Sequence, residues 1–141
     1  MRELLFAAAV AGLCSGASAD IFEVHIFDSD FSVNPEGGPI VDPVIKLGDT
    51  VRWIWDDEDH STTSVFGSPE QWDSGMPHDI GFTFEHTFSN LGTFWYFCEM
   101  HGFDNGDGTA DGMAGTVTVV PAPGVGLVLA AAAGLGLRRR R

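Results

Sequence analysis

Four residues with metal-binding side chains stand where a single ion could gather them. Cys98 and His101 are separated by two residues at the end of a predicted strand, so a tight turn can point a thiolate and an imidazole at one centre. Met113 can return to this centre just before the last predicted strand, and His60 is the leading candidate for the remaining strong ligand. This donor set suits copper, because soft sulfur favours Cu(I) and imidazole accepts either oxidation state.

Each of these residues also has a purely structural interpretation. A cysteine in an aromatic strand is often a small buried hydrophobe, and the conjunction with two histidines and a methionine favours the ligand interpretation of Cys98. His25, His78 and His86 lack such neighbours and are not expected to bind copper. The sequence contains no His-x-His pair, which argues against the additional copper centres of an oxidase.

The ligand candidates need a rigid frame, and the residues between 20 and 120 predict strands. Short runs rich in Val, Ile, Thr and aromatic residues alternate with clusters of Gly, Pro, Asn and Asp. No window of helical length shows an i, i+3, i+4 apolar pattern. We therefore predict an all-β, two-sheet sandwich. Its predicted strands are residues 21–27, 44–47, 50–55, 61–66, 81–88, 93–98 and 116–120.

Residues 21–120 resemble the plastocyanin-like cupredoxins. The matching motifs are KLGDTVRW at 46–53, HSTT at 60–63, GTFWYFCEMH at 92–101 and GMAGTV at 112–117. The resemblance implies a Greek-key β-sandwich of the cupredoxin type with seven or eight strands. It also implies one type 1 copper ion, bound by His60, Cys98 and His101 with Met113 as the axial ligand. The implied activity is one-electron transfer with redox partner proteins, without transformation of a substrate.

The chain departs from this family at three places. Eleven residues separate His101 from Met113, which is longer than usual, and we expect the extra loop at 103–111 to be flexible. Met100 stands where proline is common, so its thioether is a rival axial donor. Ser61 stands where asparagine is often found, so the hydrogen bonds that brace the site are expected to be rearranged.

Charge excludes some partners and favours others. The formal net charge is −13, and residues 20–123 hold 19 acidic residues against only Lys46 and Arg52, which makes that part −17. Such a chain repels a nucleic-acid backbone and suits metal ions or cationic redox partners. The acidic run at 56–59 is either a solvated turn or a docking patch for such a partner. The carboxylates at 104–111 invite a calcium interpretation, but their spacing does not match an EF-hand loop.

Both ends of the sequence carry targeting signals. Residues 1–19 combine Arg2, an apolar run and a small-residue cleavage site, the pattern of a secretory signal peptide. Residues 121–141 combine a Pro-containing linker, a short apolar stretch and a terminal arginine cluster. This tail resembles the PEP-CTERM type of bacterial sorting signal, although Ala122 stands where that family has Glu. We expect export to the periplasm or cell surface, with membrane anchoring through the tail.

Two functions from different classes fit these features. The first is an exported electron carrier that uses one type 1 copper ion. The alternative is a surface-anchored copper-binding or adhesion module without redox turnover, which the sorting tail and the long acidic insertion motivate. An enzyme is not expected, because the further metal ligands that copper oxidases and nitrite reductases require are missing from the sequence.

Overall fold

The computed structural model of the protein describes residues 18–123. The predicted signal peptide, except its last two residues, and the tail from residue 124 onward lie outside the described residues. Within the described part, no helix has the length and apolar character that crossing a membrane requires.

Eight strands form two four-stranded sheets. The first sheet has the order β2-β1-β4-β6 and the second has the order β3-β8-β7-β5. β1 runs parallel to β4 and β3 runs parallel to β8, whereas the other neighbouring strands are antiparallel. The strands are β1 (Ile21–Phe27), β2 (Asp30–Ser32), β3 (Val44–Lys46), β4 (Thr50–Trp55), β5 (Thr63–Ser64), β6 (Thr83–Thr87), β7 (Gly92–Asp104) and β8 (Ala110–Val120).

Strict alternation of buried and half-buried residues packs the two sheets face to face. Along β4, Val51, Trp53 and Trp55 are buried and their neighbours are half-buried. Along β7, Phe94, Tyr96 and Cys98 are buried in the same way. This period of two is what a strand needs to bury one face of a sheet. One core results, with Cys98 and Met113 at its edge among the aromatic side chains. The predicted all-β, two-sheet sandwich is confirmed, and eight strands build it within residues 18–123.

The bounds of the strands depart from the prediction where local sequence was a poor guide. β1 and β4 have the predicted bounds, but the strand predicted over residues 61–66 shortens to β5, because the chain turns at Gly67 with a φ of 77°. β2 was not predicted. It has three residues and exists because Phe31 pairs with Ile26 and is buried in the core.

The insertion after His101 is a paired hairpin and not the expected flexible loop. β7 continues to Asp104 and β8 begins at Ala110, with ladder pairs between the two strands on either side of the metal-ligand candidates. The turn closes with a hydrogen bond of 3.0 Å from Asn105 N to Thr109 O. Regular strand pairing therefore gives the main-chain polar groups of the insertion their hydrogen-bond partners.

Candidate metal centre

A bulge in the β7–β8 ladder brings three of the predicted ligands to one place. Regular pairing runs up to Phe97 opposite Ala114 and resumes at Gly102 opposite Gly112. Between these pairs, the four residues from Cys98 to His101 face Met113 alone. A bulge re-aims the side chains of the longer strand. Here it places the Cys-x-x-His segment opposite the methionine that the sequence predicted as a partner.

His60 approaches the same place from the other sheet. It follows β4 after a tight acidic turn whose last residue, Asp59, has a φ of 63°, a left-handed conformation that Asp tolerates better than most residues. The carbonyl oxygen of His60 accepts hydrogen bonds from Trp55 Nε1 at 2.7 Å and from His78 N at 2.9 Å. These two bonds fix the main chain of His60 relative to the core.

The donor atoms of His60, Cys98 and His101 form a small triangle. Cys98 Sγ lies 3.8 Å from His60 Nδ1 and 3.5 Å from His101 Nδ1, and the two Nδ1 atoms are 3.2 Å apart. Three donors placed trigonally at roughly 2.0–2.3 Å from a metal, the usual range for nitrogen and sulfur ligands, would be roughly 3.5–4.0 Å apart. The triangle therefore has nearly the size that a bound ion requires. Its donors are one soft cysteine sulfur and two imidazole nitrogens, a set that copper accepts.

The site is buried on one side and open on the other. Cys98 is fully buried and His60 is 2% exposed, whereas His101 is exposed. Met113 is 2% exposed and Met100 is 58% exposed. Burial and its place opposite the bulge favour Met113 over Met100 as the thioether that faces the centre. The axial role of Met113 stays a prediction.

The electrostatics of His60 suit a metal ligand. Burial lowers the pKa of its imidazole, and the neighbouring His101 lowers it further, while Asp57, Asp59 and Asp28 oppose the shift. A lowered pKa keeps the ring neutral near pH 7, with a nitrogen lone pair free for a metal.

Ser61 ties the two halves of the site together. Its main-chain N–H points at Cys98 Sγ at 3.4 Å, and its Oγ accepts a hydrogen bond of 2.9 Å from Glu99 N. Ser61 is fully buried, so the contact of its N–H with the thiolate is shielded from water. The serine therefore braces the segment of β7 that carries the thiolate, and it does so with a shorter side chain than the asparagine common in the family that the sequence resembles.

Ser61→Ala should lower the reduction potential of the copper-loaded protein. Without Oγ, the hydrogen bond from Glu99 N is lost, and the main-chain N–H of residue 61 is held less firmly against the thiolate. Because this N–H withdraws charge from the thiolate, its displacement weakens the preference for Cu(I). One neutral hydrogen bond corresponds to a shift of roughly 20–60 mV. Redox titration measures the shift, and Ser61→Thr, which keeps the Oγ, should retain most of the wild-type potential. Equal reduction potentials in Ser61→Ala and wild type would show that the Ser61 hydroxyl does not support the thiolate.

The side chains of the other histidines and the acidic insertion are not part of this triangle. His25 Nδ1 is 2.7 Å from Asp56 Oδ2, His86 Nε2 is 2.8 Å from Glu70 Oε2, and His78 Nε2 donates to Ser74 O. In the described part of the chain, His60, Cys98 and His101 are the only group of three metal-binding side chains whose donor atoms converge. The calcium interpretation of residues 104–111 gains no support.

Glu70 is a structurally important residue that sequence reasoning missed. Its carboxylate is 3% exposed and accepts hydrogen bonds from Ser89 N at 2.7 Å, Asn90 N at 2.6 Å and Asn90 Nδ2 at 2.8 Å, besides its contact with His86. Glu70 thereby anchors the loop after β5. No local pattern reveals this role, because every partner lies at least sixteen residues away in the sequence.

The anchored loop supports the segment that begins at His60. Thr62 N donates to Ser74 Oγ at 2.9 Å, and Trp72 Nε1 donates to Thr62 Oγ1 at 3.1 Å. His78 N donates to the His60 carbonyl, as described above. The loop therefore supports the main chain at His60 and Thr62 through hydrogen bonds.

Glu70 should make stability depend on pH. Burial alone would raise the pKa of its carboxyl, but the hydrogen bonds from His86, Asn90 and Ser89 outweigh burial and lower the pKa. A lowered folded-state pKa gives stability that is present above the ordinary value of 4.5 and is lost as the pH falls below it. Glu70→Gln should cost about 1–3 kcal/mol at pH 7 and lose less on acidification.

Urea denaturation at pH 7 and pH 4 measures this effect. The exposed Glu36→Gln is the matched control and should behave like wild type, because its carboxylate is exposed at a turn. If Glu70→Gln and wild type lost the same free energy of unfolding between the two pH values, Glu70 would not be the source of the pH dependence.

Comparison with known proteins places this geometry in context. No protein-family model matches the chain. A segment of 77 residues is 35% identical to halocyanin from Natronomonas pharaonis, and it covers 53% of this chain and 43% of halocyanin. The chain thus aligns with less than half the length of that curated relative.

Solved structures match over more of the chain. A reduced variant of amicyanin is 25% identical with a TM-score of 0.52, covering 78% of this chain and 88% of amicyanin. A copper-containing nitrite reductase from Thermus scotoductus is 17% identical with a TM-score of 0.55, covering 82% of this chain but 25% of the reductase. The chain therefore has the cupredoxin-type sandwich, and the comparisons support a cupredoxin-like protein.

Proposed function

We propose that the protein is an exported one-electron carrier with one type 1 copper ion, held by His60, Cys98 and His101 with Met113 as the axial ligand. The observation that carries the proposal is the triangle of one sulfur and two nitrogens, 3.2–3.8 Å apart. The likeness to halocyanin and amicyanin supports it. Copper, when bound, supplies a centre that gains and loses one electron reversibly.

The protein's part is to hold its donors in one arrangement for both oxidation states. His60 is fixed through its carbonyl by Trp55 and His78, and Cys98 is fully buried in the core beside the Ser61 brace. A site that is rigid before the metal arrives reorganises little when the charge of the centre changes, which favours rapid electron exchange.

His101 is the proposed contact with a redox partner. It is the exposed member of the triangle, and the exposed Met100 and Phe103 lie beside it in the sequence. Exposed apolar side chains are suited to a protein contact, and the net charge of −17 over residues 20–123 favours a cationic partner. Asp57 and Asp59 lie near enough to His60 to affect its pKa, so this acidic turn borders the site.

Export remains part of the proposal and rests on residues 1–19, and anchoring rests on residues 121–141. The proposal is electron transfer without a transformed substrate, as the resemblance to the plastocyanin-like cupredoxins implies. The likeness to a nitrite reductase concerns a quarter of that protein and the fold alone.

Stopped-flow kinetics separates the carrier from the surface-anchored copper-binding or adhesion module. Copper-loaded protein is mixed with a soluble one-electron reductant and then with an oxidant, and the visible absorption is followed. A carrier should complete both half-reactions rapidly and repeatedly without losing metal. Sluggish exchange with a tightly held ion would favour the module and contradict electron transport.

A further inference from the structure

The hairpin inserted between His101 and Met113 folds back along the second sheet. Asp104 Oδ2 accepts a hydrogen bond of 2.6 Å from Phe66 N. Phe66 follows Val65, whose N–H donates to Trp95 O at 3.2 Å. Asp104 therefore lies close to Trp95, although Trp95 stands nine positions earlier in the same strand. An extended strand would carry it roughly 30 Å away, so β7 must reverse at the bulge.

Contacts at the tip agree with this reversal. Gly108, in the turn of the hairpin, lines the same surface cleft as Phe66, Thr93 and Trp95. Trp95 is half-buried although it faces outward from the core. The insertion thus lies against the outer face of the sheet instead of projecting into solvent.

The junction between the hairpin and the metal-ligand candidates is tightly packed. Gly102 and Gly112 pair across it, and a Cβ on Gly102 would lie 2.6 Å from Met113 O. A Cβ on Gly112 would lie 2.6 Å from His101 O, and its φ of 78° is one that glycine adopts without strain. The main chain of the hairpin is therefore in close contact with the main chain of both His101 and Met113. A shift of the hairpin is expected to shift these two residues as well.

The contact of Asp104 with Phe66 is what ties the hairpin down. Among residues 18–123, it is the one side-chain hydrogen bond between residues 102–112 and the rest of the domain. The other Asp104 oxygen accepts a hydrogen bond of 2.7 Å from Gly106 N, which also shapes the turn. Asp104 is half-buried, and its hydrogen bond to Phe66 N lies at the surface of the domain.

We propose that Asp104 is a positioning residue: its hydrogen bond to Phe66 N holds the hairpin against the sheet and so keeps His101 and Met113 in place about the metal. This inference deepens the proposed function and rests on it. It assigns a role to the long insertion, which would otherwise leave the second imidazole and the thioether on a free loop.

The test compares Asp104→Ala, Asp104→Asn and Asp107→Ala. Asp104→Ala removes the acceptor, and Asp104→Asn keeps an amide oxygen in its place. Asp107→Ala removes the same charge from the same hairpin, but Asp107 bonds only to Thr109 within the turn. Far-ultraviolet circular dichroism verifies that each variant is folded.

Two readouts follow the site, one with copper and one without. In copper-loaded Asp104→Ala, the electron paramagnetic resonance hyperfine splitting should change and Cu(II) should pass to a chelator about fivefold to tenfold faster, as expected for the loss of one hydrogen bond at the surface. In the apoprotein, hydrogen exchange at the His101 and Met113 amides should accelerate by a similar factor. Asp104→Asn should fall between Asp104→Ala and wild type, and Asp107→Ala should match wild type.

The outcomes separate this inference from the proposed function. Unchanged exchange at His101 and Met113 in apo Asp104→Ala would overturn the positioning role, whatever copper does. Equal effects of Asp104→Ala and Asp107→Ala would also overturn it, because charge and not the bond to Phe66 would then be responsible. A wild-type protein that never forms a coloured copper complex would instead overturn the proposed function, and the apoprotein exchange would still decide the role of Asp104.

Discussion

Cys98→Ser should abolish the intense visible absorption that Cu(II) produces with the wild-type protein. That absorption requires charge transfer from a thiolate, and a serine hydroxyl stays protonated and binds copper weakly. Removing a direct ligand should cost at least the roughly 10–100-fold in affinity that supporting residues of metal sites contribute. Optical titration with a cupric salt measures both the colour and the affinity.

The substitution is small enough to leave the sandwich folded. Cys98 is fully buried among aromatic residues, and serine has nearly the same volume, so the main cost is about 1–3 kcal/mol for burying a hydroxyl. Circular dichroism and urea denaturation verify this. If folded Cys98→Ser kept the colour or the wild-type affinity, Cys98 would not be a ligand.

Met113→Leu should retain copper and raise the reduction potential by about 60 mV or more, a tenfold change in the redox equilibrium. A thioether donates electron density that Cu(II) needs more than Cu(I), so its loss destabilises the oxidised form. Leucine has a similar volume and suits the 2% exposed position of Met113 in the core. Redox titration of copper-loaded protein gives the shift.

Met100→Leu is the matched control for this substitution. Met100 is 58% exposed, so its thioether faces solvent for most of its surface and its loss should leave the potential near that of wild type. The reverse result, a shift in Met100→Leu and none in Met113→Leu, would mean that the axial assignment is wrong.

Sequence patterns predicted the elements whose residues alternate regularly. In β4 the buried Val51, Trp53 and Trp55 stand at every second position, and a run of β-branched and aromatic residues between turn residues predicted the strand with its correct bounds. Cys98 and His101 are close in the sequence, so their convergence followed from a turn in one segment. His60 is 38 residues from Cys98, and its place depended on order and motif resemblance, with no local signal linking the two.

What sequence reasoning missed depends on contacts between distant residues. Nothing near Asp104 indicates that its carboxylate meets Phe66, 38 positions earlier. Acidic and glycine-rich residues favour loops, so the insertion was expected to be flexible, and the ladder that pairs Asp104 with Ala110 was not visible. The hydrogen bonds of Glu70 and the three-residue strand β2 were not predicted for the same reason.

A thiolate and two imidazoles should bind one copper ion in this protein. The most direct measurement adds one equivalent of Cu(II) to the purified apoprotein and records the optical and electron paramagnetic resonance spectra. We expect one ion per chain, an intense thiolate-to-copper band and the small parallel hyperfine splitting of a type 1 centre. A colourless complex with the large splitting of ordinary tetragonal Cu(II) would contradict this expectation.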